Sequence, residues 1–220
     1  MKAFTIIGII ALCMTSFIGC YEESKELDAS LDNDNDFLDH EQVNVIDGTK
    51  SVLFAGDSRF DYLNTSSLPF TTYNLAKGGS TTNGCIKRLP YYLAKDFDVF
   101  VLEIGVNDIF RLSDIEEIKS RYIYIIDTIK RERPDTEIVC MTVVYCGSTL
   151  SGYDKWNSRI DQFNKWLIKY CLDNNYKLID LNSMMSENGA MKAEFDDGEG
   201  IHYSAVGKEF ILKILSEELS

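Results

Sequence analysis

The sequence predicts an α/β fold, a three-layer α/β/α arrangement around a five-stranded parallel sheet. Three observations carry this expectation. From residue 50 onward, short apolar runs of strand bulk alternate with longer stretches of helical periodicity. The earlier runs close on glycine and small polar residues, the turn chemistry that strand-to-helix connections need. Only three prolines interrupt the pattern, and 45% hydrophobic residues suffice for a core in 220 residues.

Val52–Ala55 is the first predicted strand, stopped by Gly56-Asp57-Ser58. Glycine permits a sharp turn there, and Asp or Ser can cap a following helix. Thr71–Leu75 is the second strand, ending in the loop Ala76-Lys77-Gly78-Gly79-Ser80-Thr81-Thr82-Asn83-Gly84. Ile86–Lys95 reads as a helix disturbed in its middle by Pro90. Asp98–Ile104 is the third strand, closed by Gly105-Val106-Asn107-Asp108. Ser113 and Glu116 have capping-box spacing, and Ile115, Ile118, Tyr122, Ile125, Ile126 and Ile129 recur on one helical face. Glu137–Tyr145 is the fourth strand and Tyr176–Leu181 the fifth, separated by an amphipathic helix over Asp154–Leu172. Ser204–Leu219 closes the chain as a helix. Right-handed crossovers leave few topologies, of which the flavodoxin-like order 2-1-3-4-5 is expected.

The first twenty residues differ from the rest. A basic start, Met1-Lys2, precedes an almost wholly apolar run to Ile18. The run is short for a membrane span and has signal-peptide design. Phe17-Ile18-Gly19-Cys20 resembles the lipobox of bacterial lipoproteins, with phenylalanine where leucine is usual. Residues 1–20 are thus expected to be a lipoprotein signal peptide, with Cys20 as the lipidated residue. Residues 21–44 are expected to be an acidic flexible tether, and 45–220 the folded domain. Residues 21–41 hold nine acids against one lysine, too polar to offset their ordering entropy. Asp32–Asp36 lacks the glycine and glutamate that a calcium loop needs downstream. The formal charge of −13 argues against nucleic acid as a partner. The membrane is expected to be met only through the N-terminal lipid, at the cell envelope.

Four polar stretches fall at, or within reach of, one sheet edge. Ser58 follows strand one, Gly79 strand two and Asn107 strand three, and His202 precedes the last helix. In an open parallel sheet that edge is where ligands bind. Serine needs an adjacent base to act as a nucleophile, and His202 is the one histidine outside the tether. Donors for a tetrahedral oxyanion would be the backbone N–H groups of Ser58 and Gly79 and the Asn107 amide. Trp156 fits the apolar side of its helix better than a role in stacking on a sugar. No GxSxG, P-loop, GxGxxG or HExxH motif occurs, so neither metal nor nucleotide cofactor is expected. The four remaining cysteines, Cys85, Cys140, Cys146 and Cys171, follow no metal-ligand spacing, and sequence does not pair them.

Gly56-Asp57-Ser58, the Asn74…Gly79 loop, Gly105-Val106-Asn107-Asp108 and Gly200-Ile201-His202 resemble the four blocks of the SGNH, or GDSL-type, hydrolases. The resemblance spans about residues 50–219. It implies a flavodoxin-like fold and an esterase, lipase, thioesterase or carbohydrate deacetylase activity. It makes Ser58 nucleophile and oxyanion donor, Gly79 and Asn107 the other donors, and His202 the general base and then acid. The family's aspartate three residues before the histidine is Glu199 here, with Asp197 two further back. Glu199 is expected to orient His202, with Asp197 as the alternative. The expected substrate is a small-molecule or glycan ester, most simply a short acyl group on carbohydrate. A lipase or thioesterase of the same fold, or a tethered glycan-binding module without turnover, are the competing readings.

Overall fold

A computed structural model describes residues 41–220. The expected signal peptide, Cys20 and the tether as far as residue 40 lie outside the described residues. Five apolar runs become strands where expected, and a sixth strand precedes them: β1 (Gln42–Asn44), β2 (Ser51–Gly56), β3 (Thr71–Asn74), β4 (Val99–Glu103), β5 (Glu137–Met141) and β6 (Lys177–Ile179) form one sheet. Its order is β1-β3-β2-β4-β5-β6, with β1 antiparallel and the remaining pairs parallel. The five parallel strands have the order expected from the sequence. The sixth is an addition: β1 takes the edge beside β3, placing Gln42 opposite Asn74. The sheet therefore begins three residues inside the stretch 21–44 read as tether.

The helices are α1 (Ser58–Asp61), α2 (Thr82–Leu93), α3 (Val106–Phe110), α4 (Ile115–Glu132), α5 (Tyr153–Asn174), α6 (Leu181–Met185) and α7 (Ala205–Leu219). A small hairpin, β7 (Ser186–Glu187) with β8 (Ala190–Met191), follows α6. Strand side chains alternate between two buried faces. On one, Val52, Phe54, Val99 and Val101 share a cluster with Ile211, Leu215 and Leu219 of α7. On the other, Phe100 meets Tyr92 of α2, with ring centroids 5.9 Å apart. Tyr122 of α4 donates to the Leu102 carbonyl at 3.3 Å and packs edge-on against Phe163 of α5. Covering both faces requires continuous apolar strands, and β2 and β4 are buried almost throughout.

Local departures from the expected elements have identifiable causes. Helix α2 starts four residues early because Thr81 caps it, accepting from the Gly84 N–H at 3.2 Å. It also runs through Pro90, which costs one backbone hydrogen bond without ending the helix. Helix α4 is capped by Asp114, which accepts from the Glu116 N–H at 2.7 Å, and not by Ser113. Strand β5 stops at Met141 although Val143 and Val144 are buried. Its partner β6 is only three residues long, so side-chain amides continue the pairing. Asn164 binds both the N–H and the C=O of Val143, and Asn157 does the same for Cys146.

Candidate active site

The turn after β2 is tight. A side chain on Gly56 would place its Cβ 2.4 Å from the Glu103 carbonyl oxygen at the end of β4. Only glycine lets the two strand ends approach this closely. Asp57 caps α1 by accepting from the Arg59 N–H at 3.0 Å, which puts Ser58 in the first turn. Ser58 is 7% exposed.

His202 reaches this serine from 144 residues away: Ser58 Oγ lies 3.1 Å from His202 Nε2. The other ring nitrogen, Nδ1, lies 3.9 Å from Asp197 Oδ2 and 3.8 Å from Glu199 Oε2. Both carboxylates thus face the imidazole just beyond hydrogen-bond length. They differ in surroundings. The Asp197 side chain is 30% exposed, and its Oδ1 accepts from the Glu199 N–H at 3.0 Å. The Glu199 side chain is 75% exposed. Ligand atoms of Asp197, Glu199 and His202 lie within 4.8 Å of one another, close enough to hold a metal ion. The same closeness is what orienting an imidazolium requires.

The other expected donors sit on the loop after β3 and in the first turn of α3, which are tied to each other, and the loop is tied to α1 at Gly78. Gly78 lies next to the serine, since a Cβ built there would be 3.8 Å from Ser58 Cβ. Its N–H donates to Asp61 Oδ2 at 2.9 Å. Asn74 donates to the Phe60 carbonyl at 2.9 Å and accepts from the Ala76 N–H at 3.2 Å. Gly79 follows with φ of +77°, at the turn where the Ser80 N–H donates to the Lys77 carbonyl at 3.1 Å. Asn107 lies in the first turn of α3, and its Nδ2 donates to the Ser80 carbonyl at 2.9 Å. An amide has two such hydrogens, so the second can serve a ligand. Arg111 donates to the Gly79 carbonyl at 3.3 Å.

Asp108 fixes these parts to each other. Its two carboxylate oxygens take the Thr82 hydroxyl at 2.6 Å and the Thr82 N–H at 2.9 Å. That joins the start of α2, just after the Gly79 loop, to the helix that bears Asn107. Burial raises the Asp108 pKa to about 6 against these hydrogen bonds. Sequence reasoning quoted Asp108 in its motif without seeing this role. The lone signal was an acid immediately after Asn107.

A second unforeseen group lies beneath the serine. Arg59 is 1% exposed, and Nη1 stands 3.9 Å from Glu103 Oε1. Burial raises Asp57 to about 6 against the pull of Arg59, and burial with the nearby Asp57 charge raises Glu103 to about 8. At the mouth, the half-exposed Tyr62 ring lies 5.4 Å from the His202 ring. Trp156 is neither wholly core nor a free face. It is half-buried, edge-on to Phe110 of α3 at 5.3 Å. All four cysteines among the described residues are free and buried.

Comparison with known proteins bears on the fold and the family. A lipase/acylhydrolase from Enterococcus faecalis is 23% identical with a TM-score of 0.66, covering 77% of this chain and 95% of that one. An acetyl xylan esterase is 18% identical with a TM-score of 0.66, covering 77% and 100%. These likenesses establish a shared fold. The N-acylneuraminate cytidylyltransferase of Streptococcus agalactiae is 24% identical over 162 residues, 73% of this chain. The chain spans only 37% of that protein's length. Residues 47–210 match the GDSL-like Lipase/Acylhydrolase family, and the chain belongs to that family.

Proposed function

We propose that this chain is a serine ester hydrolase in which Ser58 and His202 perform the chemistry. Ser58 Oγ attacks the ester carbonyl carbon while His202 Nε2 takes its proton. The carbonyl oxygen becomes an oxyanion, met by the N–H groups of Ser58 and Gly79 and by Asn107 Nδ2. As the C–O bond breaks, His202 returns the proton to the leaving alcohol. Water then attacks the acyl-serine with His202 again as base, releasing the acid and restoring Ser58. The observation that carries this reading is the 3.1 Å Ser58–His202 contact at the carboxyl edge of the sheet.

For the orienting acid the weight shifts from Glu199 to Asp197. A charge on a side chain three-quarters exposed is screened by water more than one on the Asp197 side chain, which is 30% exposed and accepts from a backbone N–H. The substrate proposed is a short acyl ester, such as acetyl, on carbohydrate. Fold likeness to an acetyl xylan esterase and the half-exposed Tyr62 beside His202, able to face a sugar ring, support it. The sequence of residues 1–20 supports lipid anchoring through Cys20 at the cell envelope. Hydrolysis of p-nitrophenyl acetate by wild type and Ser58→Ala tests the reading. Serine-dependent turnover supports it. Equal rates would leave a tethered binding module as the better account.

A further inference from the structure

Arg59 follows Ser58 directly, yet its side chain is buried in the protein. Its Nε donates to the Ile201 carbonyl at 3.1 Å, the residue before His202. Its guanidinium carbon lies 5.5 Å from the centroid of the Tyr203 ring, the residue after His202. Nη1 donates to the Val144 carbonyl at 2.8 Å, just past the end of β5. One buried side chain, rooted beside Ser58, therefore grips both neighbours of His202.

That grip has a geometric consequence. Ser58 and His202 sit on short, separate segments, and residues 192–204 between β8 and α7 hold no long element. A planar guanidinium donates in fixed directions, so it sets angle as well as distance between the two segments. Lysine, a single rotatable ammonium, cannot reproduce two divergent bonds. We propose that Arg59 is a positioning residue that fixes the imidazole of His202 against the Ser58 hydroxyl. Asp57 and Glu103 are the buried carboxyl groups beside it, and Glu103 has no hydrogen-bond donor on either oxygen among the described residues. The proposal rests on the serine hydrolase reading for its effect on rate. Its effect on His202 itself does not.

Two variants and two measurements test it. Arg59→Lys keeps the charge and removes the fork. Arg59→Met with Glu103→Gln removes the charge together with the carboxyl group facing it, guarding against failure to fold. Turnover is expected to fall about 10²-fold in both, chiefly in kcat, the scale of an ångström of misplacement. A residue acting only as a counter-ion would instead leave activity intact in Arg59→Lys and restored in the double variant. The second measurement is the NMR signal of the His202 ring, one of two histidines in the chain. It is expected to shift and broaden in both variants, with melting still cooperative. Unchanged His202 signals in folded variants overturn the proposal. If wild type shows no Ser58-dependent turnover but the ring signal still moves, the hydrolase reading fails and the positioning role stands.

Discussion

The two halves of the site are built differently. On the oxyanion side, every loop is tied down by direct hydrogen bonds, part-buried or buried: Asp61 holds Gly78, Asn107 holds Ser80, and Asp108, wholly buried, holds Thr82 twice. On the acid side, two part-exposed carboxylates share one imidazole, each nearly 4 Å from it. Donors that must meet a developing charge gain most from being fixed before it appears. A carboxylate that steadies an imidazolium can close the last ångström when the ring becomes charged, as apo catalytic contacts often do. The site therefore concentrates its rigidity where the reaction's charge forms.

This contrast predicts unequal sensitivity. The largest effect is expected from Asn107→Ala, which removes a fixed donor and should lower kcat about 10²-fold with little change in KM. A rise in KM alone would assign Asn107 to ground-state binding. Next comes Asp108→Ala, which leaves the Thr82 hydroxyl and N–H without their buried partner. It should destabilise the fold by about 2 kcal/mol and lower kcat about tenfold, read by urea melts and initial rates. On the looser side, Asp197→Asn is expected to slow turnover about tenfold and Glu199→Gln only about twofold, with the double variant worse than either. A larger loss from Glu199→Gln would return the orienting role to Glu199.

The smallest effect concerns the buried charges under the serine. Glu103 has a folded value raised to about 8 from an ordinary 4.5, so the fold favours its protonated form. Its contribution to stability is full below about pH 4.5 and is lost as pH rises through about 8. Urea midpoints of wild type should therefore decline across that window, and Glu103→Gln should flatten the decline. An unchanged slope would assign the decline to another group.

Much of this was legible in the sequence because the reacting residues stand at strand ends, where apolar runs meet turn residues. Val52–Ala55 followed by Gly56-Asp57-Ser58 announces both a strand and a serine at its carboxyl end. What stayed hidden depends on partners distant in the chain. The partners of Arg59, the carbonyls of Ile201 and Val144, lie 142 and 85 residues away in the chain. Asn157 and Asn164 look like polar positions on an amphipathic helix, yet they complete the pairing beyond β5. The edge strand Gln42–Asn44 is three residues of backbone pairing at the end of a polar stretch, with no hydrophobic signal of its own. The proposed preference for Asp197 over Glu199 rests on side-chain exposure, which residue spacing does not contain.

The central claim is that Ser58 is made nucleophilic by His202. Its most direct test is intact-mass and peptide analysis after fluorophosphonate treatment of wild type, Ser58→Ala and His202→Ala. The account predicts rapid, single modification at Ser58 in wild type, none in Ser58→Ala, and a rate reduced at least about 10³-fold in His202→Ala. Labelling that survives loss of Ser58, or proceeds equally fast without His202, would contradict it.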